Sequence, residues 1–256
     1  MSANISLLKS KNKVTFATLI IVFNFVMISM CQPALADTAN SRVYSIDSKP
    51  FGNTYSDWTA RWWQWLVSIP TPSNPVNDTT GKNCMVGQDG PVWFLAGPTA
   101  GYEAFGGQHS VERSCTIPSG KAVLFPVINS QCNFPQDHPK EGGFYSKDPL
   151  YELVSCANDG LMRLSSLQAS IDGLKLQQLE KYRAAPSPFN TTLPKNHILE
   201  RWIKPGNTTM ASDGFWVFLQ PLAIGKHELQ FGGLTRLDYT GDLDFMTNTT
   251  YHLTVR

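Results

Sequence analysis

The sequence predicts a β-rich α+β fold, an antiparallel β-sandwich carrying two packed helices over residues 57–69 and 148–165. Three observations lead there. Short apolar runs bounded by Gly and Pro recur through the chain, as the strands of a sandwich do. One segment, Ser56-Asp57-Trp58-Thr59-Ala60-Arg61-Trp62-Trp63-Gln64-Trp65-Leu66-Val67-Ser68-Ile69, holds four of the seven tryptophans at helical spacing. A second helical pattern opens on Asp148-Pro149, an N-cap followed by Pro at the first helical position.

The first stretch reads as a targeting segment. Lys9, Lys11 and Lys13 precede an apolar run over 14–30, and Ala34-Leu35-Ala36 fits a small-x-small cleavage site. Residues 1–36 are expected to be a signal peptide, leaving 37–256 as one secreted β-rich domain with a sub-boundary near 166. Two rivals are weighed. An uncleaved anchor would need a longer apolar run. Lipidation at Cys31 would need a small residue where Met30 stands.

The tryptophan segment comes next. At about 100° per residue, Trp58, Trp62, Trp65, Leu66 and Ile69 form one apolar stripe. Trp63 and Val67 widen it, and Arg61, Gln64 and Ser68 are left as a narrow polar arc. Ser56 or Asp57 is the expected cap, and Pro70 the stop. A stripe this apolar docks on a core, so Trp58, Trp62 and Trp65 are expected inside. Trp63, at the edge, is the candidate exposed platform for a sugar ring.

Residues 70–83 are a long turn-rich loop, functional or mobile by its length. Residues 90–97 read as a central strand, apolar on both faces. Loops over 98–114 and 129–146 flank a second buried strand over 121–129, in which Pro126 implies a bulge or an edge. After the second helix the period becomes two. Asp172-Gly173 is a hairpin turn, 184–194 a Pro-rich loop, and 213–219, 227–231 and 250–255 are strands.

Composition narrows function. Charged residues are 16% of the 256, with a net charge of +1, so the chain has neither the basic footprint of a nucleic-acid binder nor a polybasic membrane patch. With Cys31 removed, Cys84, Cys115, Cys132 and Cys156 remain. An even count in an exported chain reads as two disulfides, with three pairings open. Sequence-local pairing, Cys84 with Cys115 and Cys132 with Cys156, is preferred, each closing a loop worth about 3–4 kcal/mol. Metal ligation lacks any Cys-x-x-Cys or His-x-x-x-His spacing, so no cofactor or metal is expected. Asn77, Asn190, Asn207 and Asn248 begin sequons and are expected on surface loops, where they would be glycosylated if the host has the machinery.

Two resemblances add to this. Ser170-Ile171-Asp172-Gly173, Gly214-Phe215-Trp216-Val217-Phe218-Leu219, the step over 222–231 and Tyr251-His252-Leu253-Thr254-Val255 resemble immunoglobulin-like or fibronectin-like modules. That implies an immunoglobulin-like sandwich. The Trp-x-x-x-Trp-Trp-x-Trp helix, with 87–97 and 115–129, is similar to a family of exported microbial proteins. That resemblance implies a secreted domain and no particular chemistry.

No nucleophile elbow, metalloprotease motif or phosphate loop is present. The expected function is therefore an exported or cell-surface, non-enzymatic binding module, outside the membrane once the signal is cleaved. Its partner would be a ligand such as a polysaccharide, or a cell-surface protein. Arg61, Trp63, Gln64, Glu103, His109 and His138 are its candidate binding residues. The alternative is a secreted hydrolase with its site in 98–145, drawing acids from Asp89, Glu103, Glu112, Asp137 and Asp213. A structural envelope protein is the third reading.

Overall fold

A computed structural model describes residues 40–98, 107–134, 148–236 and 244–256. The signal peptide expected over 1–36 lies outside them. Among the described residues, ten strands make two five-stranded sheets, and two α-helices complete the β-rich α+β architecture.

The first sheet runs β1 (Val92–Phe94), β3 (Ala122–Asn133), β8 (Gly206–Leu219), β6 (Arg183–Ala184), with β7 (Phe189–Leu193) also on β8. The second runs β2 (Gly107–Ile117), β10 (Asp244–Val255), β9 (Gly225–Arg236), β4 (Leu164–Ile171), β5 (Leu174–Lys175). Both sheets are mixed. β1 lies parallel to β3, and β2 parallel to β10, so the expected all-antiparallel pairing is corrected. Both parallel pairs join strands distant in the chain, which a hairpin signal cannot reveal.

The layering explains the apolar runs. Side chains alternate along a strand. Trp93, Val123, Phe125, Val217 and Leu219 face the second sheet. Val92, Phe94, Leu124, Trp216 and Phe218 face the tryptophan helix. The first sheet is thus buried on both faces. For the same reason β1 reads as central although it lies at an edge. At Pro126 the register with β8 slips before Ile128, the bulge that the proline implied. Past it, Val127 and Ile128 both face the second sheet.

Helix α1 spans Tyr55–Ser68. Its cap is Thr54, not Ser56 or Asp57: Asp57 sits at the third helical position and closes a capping box with Thr54. Trp58, Trp62 and Trp65 are core, as their stripe requires. Helix α2 spans Pro149–Asp159 and is capped by Asp148. It stops short of the expected 165, because Gly160 ends it and Leu164 already belongs to β4.

Both disulfides join the preferred pairs, Cys84–Cys115 and Cys132–Cys156. Asp172 and Gly173 form the two-residue β4–β5 turn, with φ of +52° and +77°. Strands β2, β7 and the ends of β3 and β8 lie where loops were expected. Of the sequon asparagines, only Asn77 lies off the strands, at the end of a short 3-10 helix, Pro75–Asn77. Asn190, Asn207 and Asn248 lie on β7, β8 and β10, with exposed side chains. No helix among the described residues is long and apolar enough to cross a membrane.

Candidate functional site

β1 pairs with only the first three residues of β3. Where β1 ends, β3 runs on to Asn133 against β8 alone. Beside that run lies a cleft of about 690 Å³, between the tryptophan helix, the second sheet and the turn over 198–203. Trp62, Trp63 and Leu66 line it from the helix, Val127 to Gln131 from β3, and Phe231, Thr235, Phe245 and Thr247 from the second sheet. That volume suits a drug-sized ligand.

The indoles divide by whether they find a partner, and the unbonded ones include Trp93 and Trp216 in the core as well as Trp63 at the cleft. The indole Nε1 groups of Trp58, Trp62 and Trp65 each donate to a backbone carbonyl, of Pro50, Leu95 and Val86, at 2.9 Å. Trp63 is only 8% exposed, and its Nε1 has no partner. The same holds for Thr235 Oγ1, Asn129 Nδ2 and Gln131 Oε1, all on residues lining the cleft. A buried polar atom left unbonded costs about 1–3 kcal/mol, and native folds rarely gather several in one place.

Two buried groups shape the walls. The first is Arg113 on β2, 2% exposed, which belongs to no carboxylate bridge among the described residues. It donates to the carbonyls of Asp78, Val76 and Ala96 and to Tyr251 Oη at 3.1 Å. Val76, Asn77 and Gly97, at or beside those carbonyls, line the cleft. The loop over 70–83 is thereby ordered. Asn74 adds to this by donating to the carbonyls of Leu66 and Ile69 at the end of α1. The second group is His197, also 2% exposed. Its Nδ1 accepts from Leu199 N–H at 3.2 Å, so its Nε2 donates to the Ile203 carbonyl at 3.0 Å. Burial pushes its pKa below the usual range. It fixes the turn that brings Ile198, Leu199, Trp202 and Ile203 to the cleft.

The sequence-derived candidates divide. Trp63 lines the cleft, but as a buried wall rather than an exposed platform. The exposed tryptophan at the cleft is Trp202, 49% exposed. His109 is on β2 rather than in a loop, in register with Thr247 and with its ring 5.9 Å from that of Phe245. Arg61 turns outward to Asn53 and over the Trp58 ring, and Gln64 donates to the Asn190 carbonyl. Ser68 donates back to Trp65. The polar arc therefore fastens the helix to its surroundings. Glu103, Asp137 and His138 lie outside the described residues.

The remaining acids are dispersed. Asp89 accepts from Gly90 N–H, and Glu112 pairs with His252 at 2.7 Å. Buried Asp213 takes a two-pronged bond from Arg183, whose pKa it raises. No Asp or Glu lines the cleft among the described residues. Nor do three His, Cys, Asp or Glu side chains gather there as a metal site would require. Sequence reading missed Asn129, Gln131, Thr235, Trp202 and His197 as site residues. One signal was available: a buried apolar strand that ends in alternating Asn129-Ser130-Gln131 presents polar groups along a formed edge.

No family model matches the chain, and no curated protein matches it. Among solved structures, it is similar to the crystal structure of the cysteine protease inhibitor EhICP2 from Entamoeba histolytica. The identity is 10% over 58% of this chain and 96% of that one, with a TM-score of 0.20. The solution structure of amebosin gives 9% identity over 59% of this chain and all of that one, with a TM-score of 0.16. Likeness at these scores carries no argument about fold or function.

Proposed function

We propose that this chain is an exported or cell-surface, non-enzymatic binding module, an immunoglobulin-like sandwich whose ligand site is the cleft beside β3. The observation that carries the reading is the unbonded Trp63 Nε1. Its three sister indoles on the same helix, that of Trp62 at the cleft among them, each find a carbonyl, and Trp63 Nε1 does not. What converges there is aromatic and hydrogen-bonding, which is the equipment of recognition. Two disulfides fit an oxidising, extracytoplasmic setting. A polysaccharide or a cell-surface protein presenting a small group to the cleft are both partners of this kind.

Thermal unfolding in the presence of a panel of neutral small molecules and oligosaccharides tests the reading. A ligand at about a hundred times its Kd stabilises by about 2.7 kcal/mol. That gain should shrink in Trp63→Phe, which keeps an aromatic side chain and loses the N–H, by about 0.5–1.5 kcal/mol. If no compound raises the melting temperature and no polysaccharide is retained in a pull-down, the cleft is not a ligand site.

A further inference from the structure

The walls say more about the ligand than that one exists, and this step rests on the cleft being the binding site. Ile128, Ile198, Leu199, Phe231 and Phe245 supply an aliphatic and aromatic lining, with the Trp62 and Trp63 rings beside it. Such surface gains about 25 cal/mol for each Å² it covers, provided the ligand covers it with carbon. Charge is scarce. Arg201 is the one ionic side chain at the cleft among the described residues, and it already has an interaction of its own. A charged ligand against the apolar walls would lose its hydration with a single arginine among the described residues to face it. Among the described residues, the cleft's polar atoms that have no partner are few and neutral: the Trp63 Nε1 donor, the Asn129 and Gln131 amides and the Thr235 hydroxyl. Together they can donate to and accept from a hydroxyl or carbonyl group.

We infer that the cleft binds an uncharged amphiphile, with a hydrocarbon or aromatic body against the apolar walls and a hydroxyl or carbonyl head at the Trp63, Asn129 and Gln131 side chains. Ordered water is the rival occupant of those polar positions.

The test uses three probes on the mature protein: N-phenyl-1-naphthylamine, an apolar fluorophore; monomyristoylglycerol, a neutral amphiphile; and myristate, its charged counterpart. The fluorophore should bind saturably at one site and be displaced by monomyristoylglycerol, with myristate weaker by roughly tenfold or more. Leu199→Glu should weaken the fluorophore and the glyceride alike. Asn129→Leu should weaken the glyceride and leave the fluorophore unchanged. Ile224, 75% exposed and away from the cleft, gives a control in Ile224→Glu. If Leu199→Glu does not fold, Trp202→Ala, at an exposed position, takes its place in the apolar arm. Suppose instead that cellohexaose or chitohexaose quenches tryptophan fluorescence saturably, while neither the fluorophore nor the glyceride binds. The cleft is then a site and the inference about its ligand falls. Should none of the probes or sugars bind, both readings fall, and water fills the polar positions.

Discussion

At the scale of single residues, two buried groups behave in ways their sequence neighbourhoods do not announce. His197 must be neutral to hold its turn, since Nδ1 accepts from Leu199 N–H. Burial lowers its pKa, and the Ile203 carbonyl and Glu200 push the other way with less effect. The folded value thus lies below the unfolded one, about 6.5, so the unfolded chain takes up a proton first as the solution is acidified. Stability from the neutral ring is complete above that unfolded value and is lost as pH falls through the folded one. Urea unfolding at about pH 7.5 and about pH 5.5, a window set by that reference value, should show a larger loss for the wild type than for His197→Gln. Gln can keep both bonds without titrating; equal losses in the two proteins would sink the assignment. Arg113 is the second case. Removing it strands the carbonyls of Val76 and Asp78, while that of Ala96 keeps its bond from Tyr251 Oη. Arg113→Met should therefore cost about 3–5 kcal/mol despite its similar bulk, measured as a drop in the urea midpoint at constant slope. A cost below about 1 kcal/mol would mean that water replaces the guanidinium.

At the scale of elements, the legible features were those decided locally. The Trp58, Trp62 and Trp65 stripe, the Asp148-Pro149 start, the Asp172-Gly173 turn and the Pro126 bulge each follow from a few adjacent residues. Strand β2 did not show, because Gly107–Ile117 is held by β10, a partner far along the chain. Thr54 was missed as a cap because Ser56 and Asp57 compete for the role in sequence. The helical wheel points to Trp63 as a platform because it gives a residue's direction and not what packs there. The second helix teaches the same point with a sign attached. By propensity, Gly160→Ala should stabilise a helix by about 1 kcal/mol. In the structure, a Cβ at Gly160 would stand 2.7 Å from Ser130 Cβ, where α2 closes on β3. The substitution is therefore expected to destabilise by about 1–3 kcal/mol, as overpacking does. Stabilisation in thermal unfolding would show that α2 can slide off β3 at little cost.

At the scale of the whole molecule, three layers must be kept in register: the tryptophan helix, the first sheet and the second sheet. Hydrophobic contact holds each adjacent pair. Between the sheets, Gly233 lets Ile128 approach: a Cβ there would meet Ile128 Cβ at 3.2 Å and, within its own sheet, the Ser166 carbonyl at 3.0 Å. The two disulfides act over longer distances. Cys132–Cys156 pins α2 to β3. Cys84–Cys115 ties the chain that follows α1 and the 70–83 loop to β2 in the second sheet, two residues from Arg113. The two bonds should therefore fail differently. Each closes a loop of similar length, with separations of 31 and 24, so the chain-entropy cost of opening either is alike, about 3–4 kcal/mol. The cleft should nonetheless feel them unequally. Opening Cys84–Cys115 frees the wall that Arg113 holds through Val76 and Asp78, whereas opening Cys132–Cys156 frees a helix that meets the cleft only at Gly160. Paired Cys→Ala variants at the two sites are expected to lose similar stability. Amide exchange over 71–78 should rise only in the Cys84/Cys115 pair. Equal exchange over that loop in both variants would show that Arg113, and not the disulfide, fixes the cleft wall.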